Sequence, residues 1–320
     1  MRRSPLLPAL LLVLLAGCRG GPEAAPDRPQ GADAPAPARG VIGVSLLTLA
    51  NPFFKEMGDA MEAEAAKHGY TVSIVSADMD AARQRNQVND FVARNVAAII
   101  LCPADSRAVG TSIRAANQAG IPVFTADIAS MDPGAQVVSH IATDNFAGGK
   151  LAAQGMIEAL GGEGTVAIID HPEVESVIQR TRGFREGIAG TPGIRVVSQL
   201  PGGGMRDSAY RAAQDILQKR PRLDGIFAIN DPSALGAVAA IEKEGRQGIV
   251  VIGFDGQPEA KQAIREGRMH ASAIQFPDRI GQMAVAAVAR HLAGEKLPAE
   301  TLIPTALYRK ADADRDPALR

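Results

Sequence analysis

The sequence predicts an α/β protein made of two doubly wound lobes of parallel sheet, and three observations predict it. Short apolar runs alternate with longer amphipathic stretches from residue 41 onward. The same alternation restarts after about residue 143. Polar clusters stand directly after the apolar runs, where open α/β sheets gather their ligand-contacting groups.

The elements follow in order. A buried-strand run over 41–47 leads to a helix over 52–69, where Phe53, Met57, Met61 and Ala65 recur every four residues. Strands over 71–75, 97–101 and 122–126 alternate with helices over 82–95 and 106–120, the last ending on Gly120. In the second half a helix over 145–160 turns through Gly161-Gly162-Glu163-Gly164 into a strand over 165–169. Helices over 175–189, 207–219 and 232–245 then alternate with strands over 194–199, 225–229 and 249–254. Strands separated by helices of this length require right-handed crossovers, hence parallel sheets covered on both faces. Two such lobes leave a cleft at the carboxyl ends of their strands.

The N-terminus has a different character. Arg2 and Arg3 precede a nearly unbroken apolar run from Leu6 to Leu15, which is shorter than the roughly 20 residues a spanning helix needs. The run ends in Leu15-Ala16-Gly17-Cys18, which resembles the lipobox of bacterial lipoproteins. That resemblance implies a signal peptide over 1–18, cleavage before Cys18 and lipid on its thiol. Residues 19–39 are rich in Pro, Ala and Gly without apolar period and read as a flexible tether.

Composition narrows the partners. The 320 residues carry a formal net charge of −1 with both signs dispersed, which gives no electrostatic footprint for nucleic acid or a second membrane face. Cys102 is the only cysteine besides Cys18, so with Cys18 lipidated no disulfide forms within the chain. No pair of the five histidines has metal-ligand spacing with a third ligand, and neither a metal nor a cofactor is expected.

The clusters after the strands are Asn51-Pro52-Phe53-Phe54, Cys102-Pro103-Ala104-Asp105, Asp127, Thr143-Asp144-Asn145, Asn230-Asp231 and Phe254-Asp255-Gly256. In this order the set resembles the periplasmic sugar-binding proteins of the ribose-binding type, from about residue 41 to the C-terminal tail. The resemblance implies the periplasmic binding protein fold, with three hinge crossings near Thr143, Gln275 and Ile303. The lobes would then comprise 40–142 with 276–302, and 143–275 with 303–320. It implies a ligand site of Asn51, Phe53, Phe54, Asp127, Asn230, Phe254, Asp255 and Gln275, with Cys102, Thr143 and Glu175 as further candidates. Chemically, Phe rings offer apolar area to the C–H face of a sugar, while carboxylates and amides pair with its hydroxyls. Each residue also has a plain structural use, since Asp and Asn after strands commonly form turns and caps.

Four departures limit the ligand. Ribose-type proteins usually carry an Arg directly after the Asp matching Asp127, and here that residue is Ile128. A second family Arg aligns with Ile178, with Arg180 two residues away. The family's second-lobe aromatic falls near Gly204, and a family Asn falls at Cys102. The alignment therefore predicts a roomier, less polar pocket, with new polar contacts from the loop His171-Pro172-Glu173-Val174-Glu175. The resulting expectation is a monomeric receptor, anchored outside the cytoplasm, that delivers a small neutral sugar or polyol other than ribose to an ABC permease and its ATPase. Input to a chemoreceptor or sensor kinase is the alternative. No nucleotide fingerprint, phosphate-binding loop or nucleophile elbow supports an enzyme. A signal and tether occupy the place of the DNA-binding head that a transcription regulator would need.

Overall fold

The computed structural model describes residues 39–319, so the signal, Cys18 and most of the tether expected from the sequence lie outside the described residues. The first half runs β1 (Val41–Leu46), α1 (Pro52–Lys67), β2 (Thr71–Ser76), α2 (Ala81–Ala93), β3 (Ala98–Leu101), α3 (Gly110–Gln118), β4 (Val123–Ala126) and β5 (His140–Thr143). The chain then continues through α4 (Asn145–Leu160), β6 (Gly164–Asp170), α5 (Glu175–Ala189), β7 (Ile194–Pro201), α6 (Arg206–Lys219) and β8 (Gly225–Ala228). Next come α7 (Asp231–Lys243), β9 (Val250–Asp255), α8 (Pro258–Arg265) and β10 (Ala271–Ile274). The tail adds α9 (Pro277–Leu292), β11 (Glu300–Ile303), β12 (Ala306–Arg309), α10 (Lys310–Ala313) and a 3-10 turn.

Two six-stranded sheets result, ordered β2-β1-β3-β4-β5-β11 and β7-β6-β8-β9-β10-β12. Both have the doubly wound order whose direction reverses beside the first strand of each lobe. All pairings are parallel except β10 with β12, which is antiparallel. The inner strands are apolar on both faces because helices cover both; Ala98, Ile99, Ile100 and Leu101 of β3 are all fully buried.

The chain passes between the sheets three times: from β5 to α4, from β10 to α9, and from β11 to β12. Thr143 and Ile303 pair with each other in the first sheet, so two crossings fall one residue later than the sequence suggests. The Asp144 N–H donates to the Ile303 carbonyl at 2.9 Å, and the Asp144 carboxylate caps α4 at the Ala147 N–H, also 2.9 Å. The first and third crossings are thereby tied to regular structure within a residue or two.

One helix begins later than its periodicity predicts. α3 starts at Gly110, not at 106, because the Asp105 carboxylate accepts from the N–H groups of Arg107 and Ala108 and closes a separate turn. The N–H of Ser106 is also taken by the Glu173 carbonyl of the opposite lobe, at 3.0 Å.

Helices α4 and α5 approach closely enough that glycine is required at their contact. A Cβ on Gly183 would overlap the carbonyl oxygen of Phe146, and one on Gly149 would overlap that of Arg180. We expect Gly183→Ala to destabilise the fold by roughly 1–3 kcal/mol through forced separation of these helices. Gly190→Ala, at a position open within 4 Å, should stay within about 0.5 kcal/mol of the parent. Chemical denaturation of the pair checks the difference, and equal effects would remove close packing as the reason for Gly183.

Candidate functional site

A cavity lies between the lobes at the carboxyl ends of both sheets, enclosing about 460 Å³ of empty space counting its mouth. The first lobe contributes Asn51, Phe53 and Phe54 from the β1–α1 turn and Asp127 after β4. The second contributes Asn230 after β8 and Asp255 at the end of β9, and Gln275 lies at a crossing. These seven sequence-predicted residues therefore share one lining.

Four others do not line it. Phe254 is fully buried beneath the floor, and Cys102 is fully buried behind Asp127, with Sγ 3.9 Å from Oδ2. Thr143 is buried in β5. The half-buried Glu175 opens α5, where its carboxylate accepts from the Gln179 amide at 2.5 Å.

Arg180 is the residue that the sequence alignment misplaced. Its guanidinium lines the cavity and stacks 3.9 Å from the Phe254 ring centroid. Nε donates to Asn145 Oδ1 and Nη1 to the Ile229 carbonyl, both at 2.8 Å, and Nη1 lies 3.4 Å from Asp255 Oδ1. Ile178 is only half-buried and lies outside the lining, so the predicted loss of two cationic forks is corrected to one. The available signal was periodicity: Val177, Arg180 and Phe184 share one buried face of α5, and a lone Arg on an apolar stripe demands partners.

The two carboxylates at the cavity occupy unusual backbone. Asp127 has φ +63° and Asp255 φ +114°, a region that L residues enter at a cost on the order of 1–3 kcal/mol and that concentrates at functional sites. Burial pushes Asp127 up to about 7; Arg180 pulls it down in part, while Asp255 and Glu175 push it further up. Burial likewise raises Asp255 to about 6 against the pull of Arg180 and of the Gln275 amide, 2.7 Å from Oδ1. Asp231 lies fully buried behind Asp255, and burial raises its pKa well above the usual range, with the Asp255 charge adding to it. It accepts from Ser272 Oγ and the Gln257 N–H at 2.7 Å each, which fixes the turn after β9.

The sequence matches the periplasmic binding protein domain over residues 42–296. The chain belongs to the periplasmic binding protein family. The ribose import binding protein of Escherichia coli is 34% identical to it over 269 residues, covering 82% of this chain and 88% of that one. The D-apiose import binding protein of Paraburkholderia graminis is 31% identical, covering 88% and 90%. A solved ABC transporter solute-binding protein from Bacillus halodurans with bound myo-inositol superposes with a TM-score of 0.80 at 30% identity, covering 89% of this chain and 98% of that chain. Family membership implies a periplasmic location and the setting of an ABC transporter.

In this periplasmic binding protein the lobes are closed onto each other by direct bonds on two sides of the cavity. Gln257 Nε2 donates to Asn51 Oδ1 at 2.6 Å. Opposite, Ser106 takes the Glu175 N–H on its hydroxyl at 2.8 Å while its own N–H reaches Glu173. The loop over 171–175 was expected to supply polar contacts to ligand. His171 and Val174 do line the cavity, but the loop's backbone is committed to Ser106. Gly204 also lines it and presents no side chain where the family places an aromatic.

The raised Asp127 fixes the sign of a pH dependence. An unfolded Asp loses its proton near pH 3.9, whereas the folded one keeps it to about 7, so the folded state holds more protons between the two. The Asp127 contribution to stability should therefore be lost as pH rises from about 4 to 7. Asp127→Asn removes that contribution, so over this range the variant's stability should fall less steeply with pH than the parent's. Melting temperatures across pH 4–8 test this, and identical slopes in the variant would contradict the assignment.

Proposed function

We propose that this chain is the solute receptor of an ABC importer, closing its two lobes on a sugar or polyol that it does not hold in the manner of ribose. The supporting observation is the interlobe cavity itself, with amides and carboxylates from both lobes facing it and two Phe rings at one wall. Polar groups that alternate donor and acceptor suit hydroxyls, and adjacent apolar area suits the C–H faces of a polyol. The relatives bind ribose, D-apiose and myo-inositol by their names, which brackets the class without fixing the member. Ile128 argues against the ribose mode, because it contributes hydrocarbon where the ribose-type proteins place a guanidinium.

Closure follows from geometry. A ligand that bonds Asp127 on one lobe and Asp255 or Arg180 on the other gains its full contact energy only when the lobes are together. It then stabilises the closed shape that a permease reads. The receptor is held at the membrane by lipid on Cys18, with residues 19–39 as its tether.

A thermal-shift screen of the full-length chain against pentoses, hexoses, polyols, nucleosides and amino acids tests the reading. A ligand at about 100 times its dissociation constant should add about 2.7 kcal/mol of stability. Asp255→Ala should weaken binding of that ligand by on the order of 1–3 kcal/mol, because partners of the carboxylate lose their acceptor. A hit confined to amino acids or nucleosides would overturn the sugar assignment. For the anchor, Cys18→Ala should move the protein from the membrane fraction to the soluble periplasmic fraction; unchanged fractionation would refute lipid at Cys18.

A further inference from the structure

The charges on the cavity lining do not cancel. Among the described residues, Asp127 and Asp255 face it against a single guanidinium, Arg180, which leaves one acidic group more than the cations on the lining. The guanidinium is committed to the second lobe: Nε and Nη1 are bonded to Asn145 and the Ile229 carbonyl, and Nη1 approaches Asp255. Asp255 further accepts from the amides of Gln275 and, at 3.4 Å, Gln257.

Asp127 has no such company. It is 3% exposed; among the described residues its Oδ1 has no hydrogen-bond partner, and the only donor near Oδ2 is the weak Cys102 thiol at 3.9 Å. Its neighbour Ile128 adds only hydrocarbon to the lining. His171, the remaining basic group there, is kept neutral by burial, which lowers its pKa below the usual imidazole value. A buried carboxylate with no bonded donor is costly, and burial holds this one up to about 7 although Arg180 lowers it in part. What it lacks is a cation bonded to it. A hydroxyl supplies one neutral donor, whereas a protonated amine supplies charge and as many as three N–H donors. Phe53 and Phe54 add aromatic carbon to the same lining.

We propose that the preferred ligands are amine-bearing polyhydroxylated compounds, amino sugars or amino polyols, whose ammonium group sits on Asp127. This rests on the reading that the cavity takes a sugar or polyol, and it adds the charge.

Calorimetry at pH 7 on the full-length chain with matched pairs tests it. The pairs are D-glucose, D-galactose and D-mannose with their 2-amino-2-deoxy counterparts, and D-glucitol with 1-amino-1-deoxy-D-glucitol. In at least one pair the amine should bind ten-fold or more tighter than the alcohol. Asp127→Asn should collapse that ratio towards one, and Ile128→Arg, which keeps the carboxylate but supplies a fixed countercharge, should collapse it as well. Neutral members binding as tightly as amines in every pair would overturn the amine assignment and leave the sugar receptor standing. Silence from both members of all pairs would overturn both, and a preference that survives Asp127→Asn would remove Asp127 from the role.

Discussion

The stacked guanidinium of Arg180 is the interaction on which the second lobe's face of the cavity depends. It is a buried cation 3.9 Å above the Phe254 ring, and three separate elements converge on it: the start of α4 through Asn145, the end of β8 through Ile229, and the end of β9 through Asp255. Burying a charge costs several kcal/mol unless geometry and hydrogen bonds compensate. Here the ring face, two bonds at 2.8 Å and a carboxylate supply the compensation together. The consequence reaches past the pair: with one cation among Asp127, Asp231 and Asp255, the protein accommodates the surplus acid by retaining protons and not by adding counterions.

Several polar groups at the cavity serve the fold as well. The Asn51 side chain caps α1 by accepting from the Phe53 N–H at 3.0 Å, and the same oxygen takes the Gln257 bond from the other lobe. Asn230 caps α7 through Ser233 at 3.0 Å while its amide nitrogen holds the Gly204 carbonyl at 2.9 Å. A residue after a strand is therefore pinned by the helix it starts, and this makes a strand-end cavity rigid without a dedicated scaffold. Asp127 departs from this pattern. It caps nothing, and its Oδ1 is left for whatever enters.

The doubly wound alternation was legible because its helices are long and its strands uniformly apolar, and the clusters after β1, β4, β8 and β9 marked the cavity from sequence. The later strands were not legible: β10, β11 and β12 read Ala-Ser-Ala-Ile, Glu-Thr-Leu-Ile and Ala-Leu-Tyr-Arg, without the apolar run that marked the equally short β3 and β8, and owe their state to the neighbours they pair with. Phe254 was placed in the ligand site beside Asp255, yet alternation along β9 turns it to the opposite face, under Arg180. Arg180 was obscured because alignment by spacing cannot see which face of α5 is buried. Gln257 and Ser106 gave no signal, since an interlobe bond between a turn amide and a distant loop leaves no trace in local pattern.

The closing bonds bias the hinge without locking it. Three hydrogen bonds join the lobes beside the cavity: Gln257 to Asn51, and the two at Ser106. Each is exchanged for water on opening and contributes a net of roughly 0.5–1.5 kcal/mol, so together they amount to a few kcal/mol at most. Driving a two-state equilibrium from 1:99 to 99:1 takes about 5.5 kcal/mol. The difference has to come from a ligand that touches both lobes, and the cavity is arranged to demand it. On one side Asp127 offers an unpartnered acceptor; on the other Arg180 Nε and Nη1 are bonded to Asn145 and Ile229, and Asp255 accepts from Gln275. A ligand that contacts only the second lobe gains nothing from closure, so the free energy of closure resides in what it brings to the first.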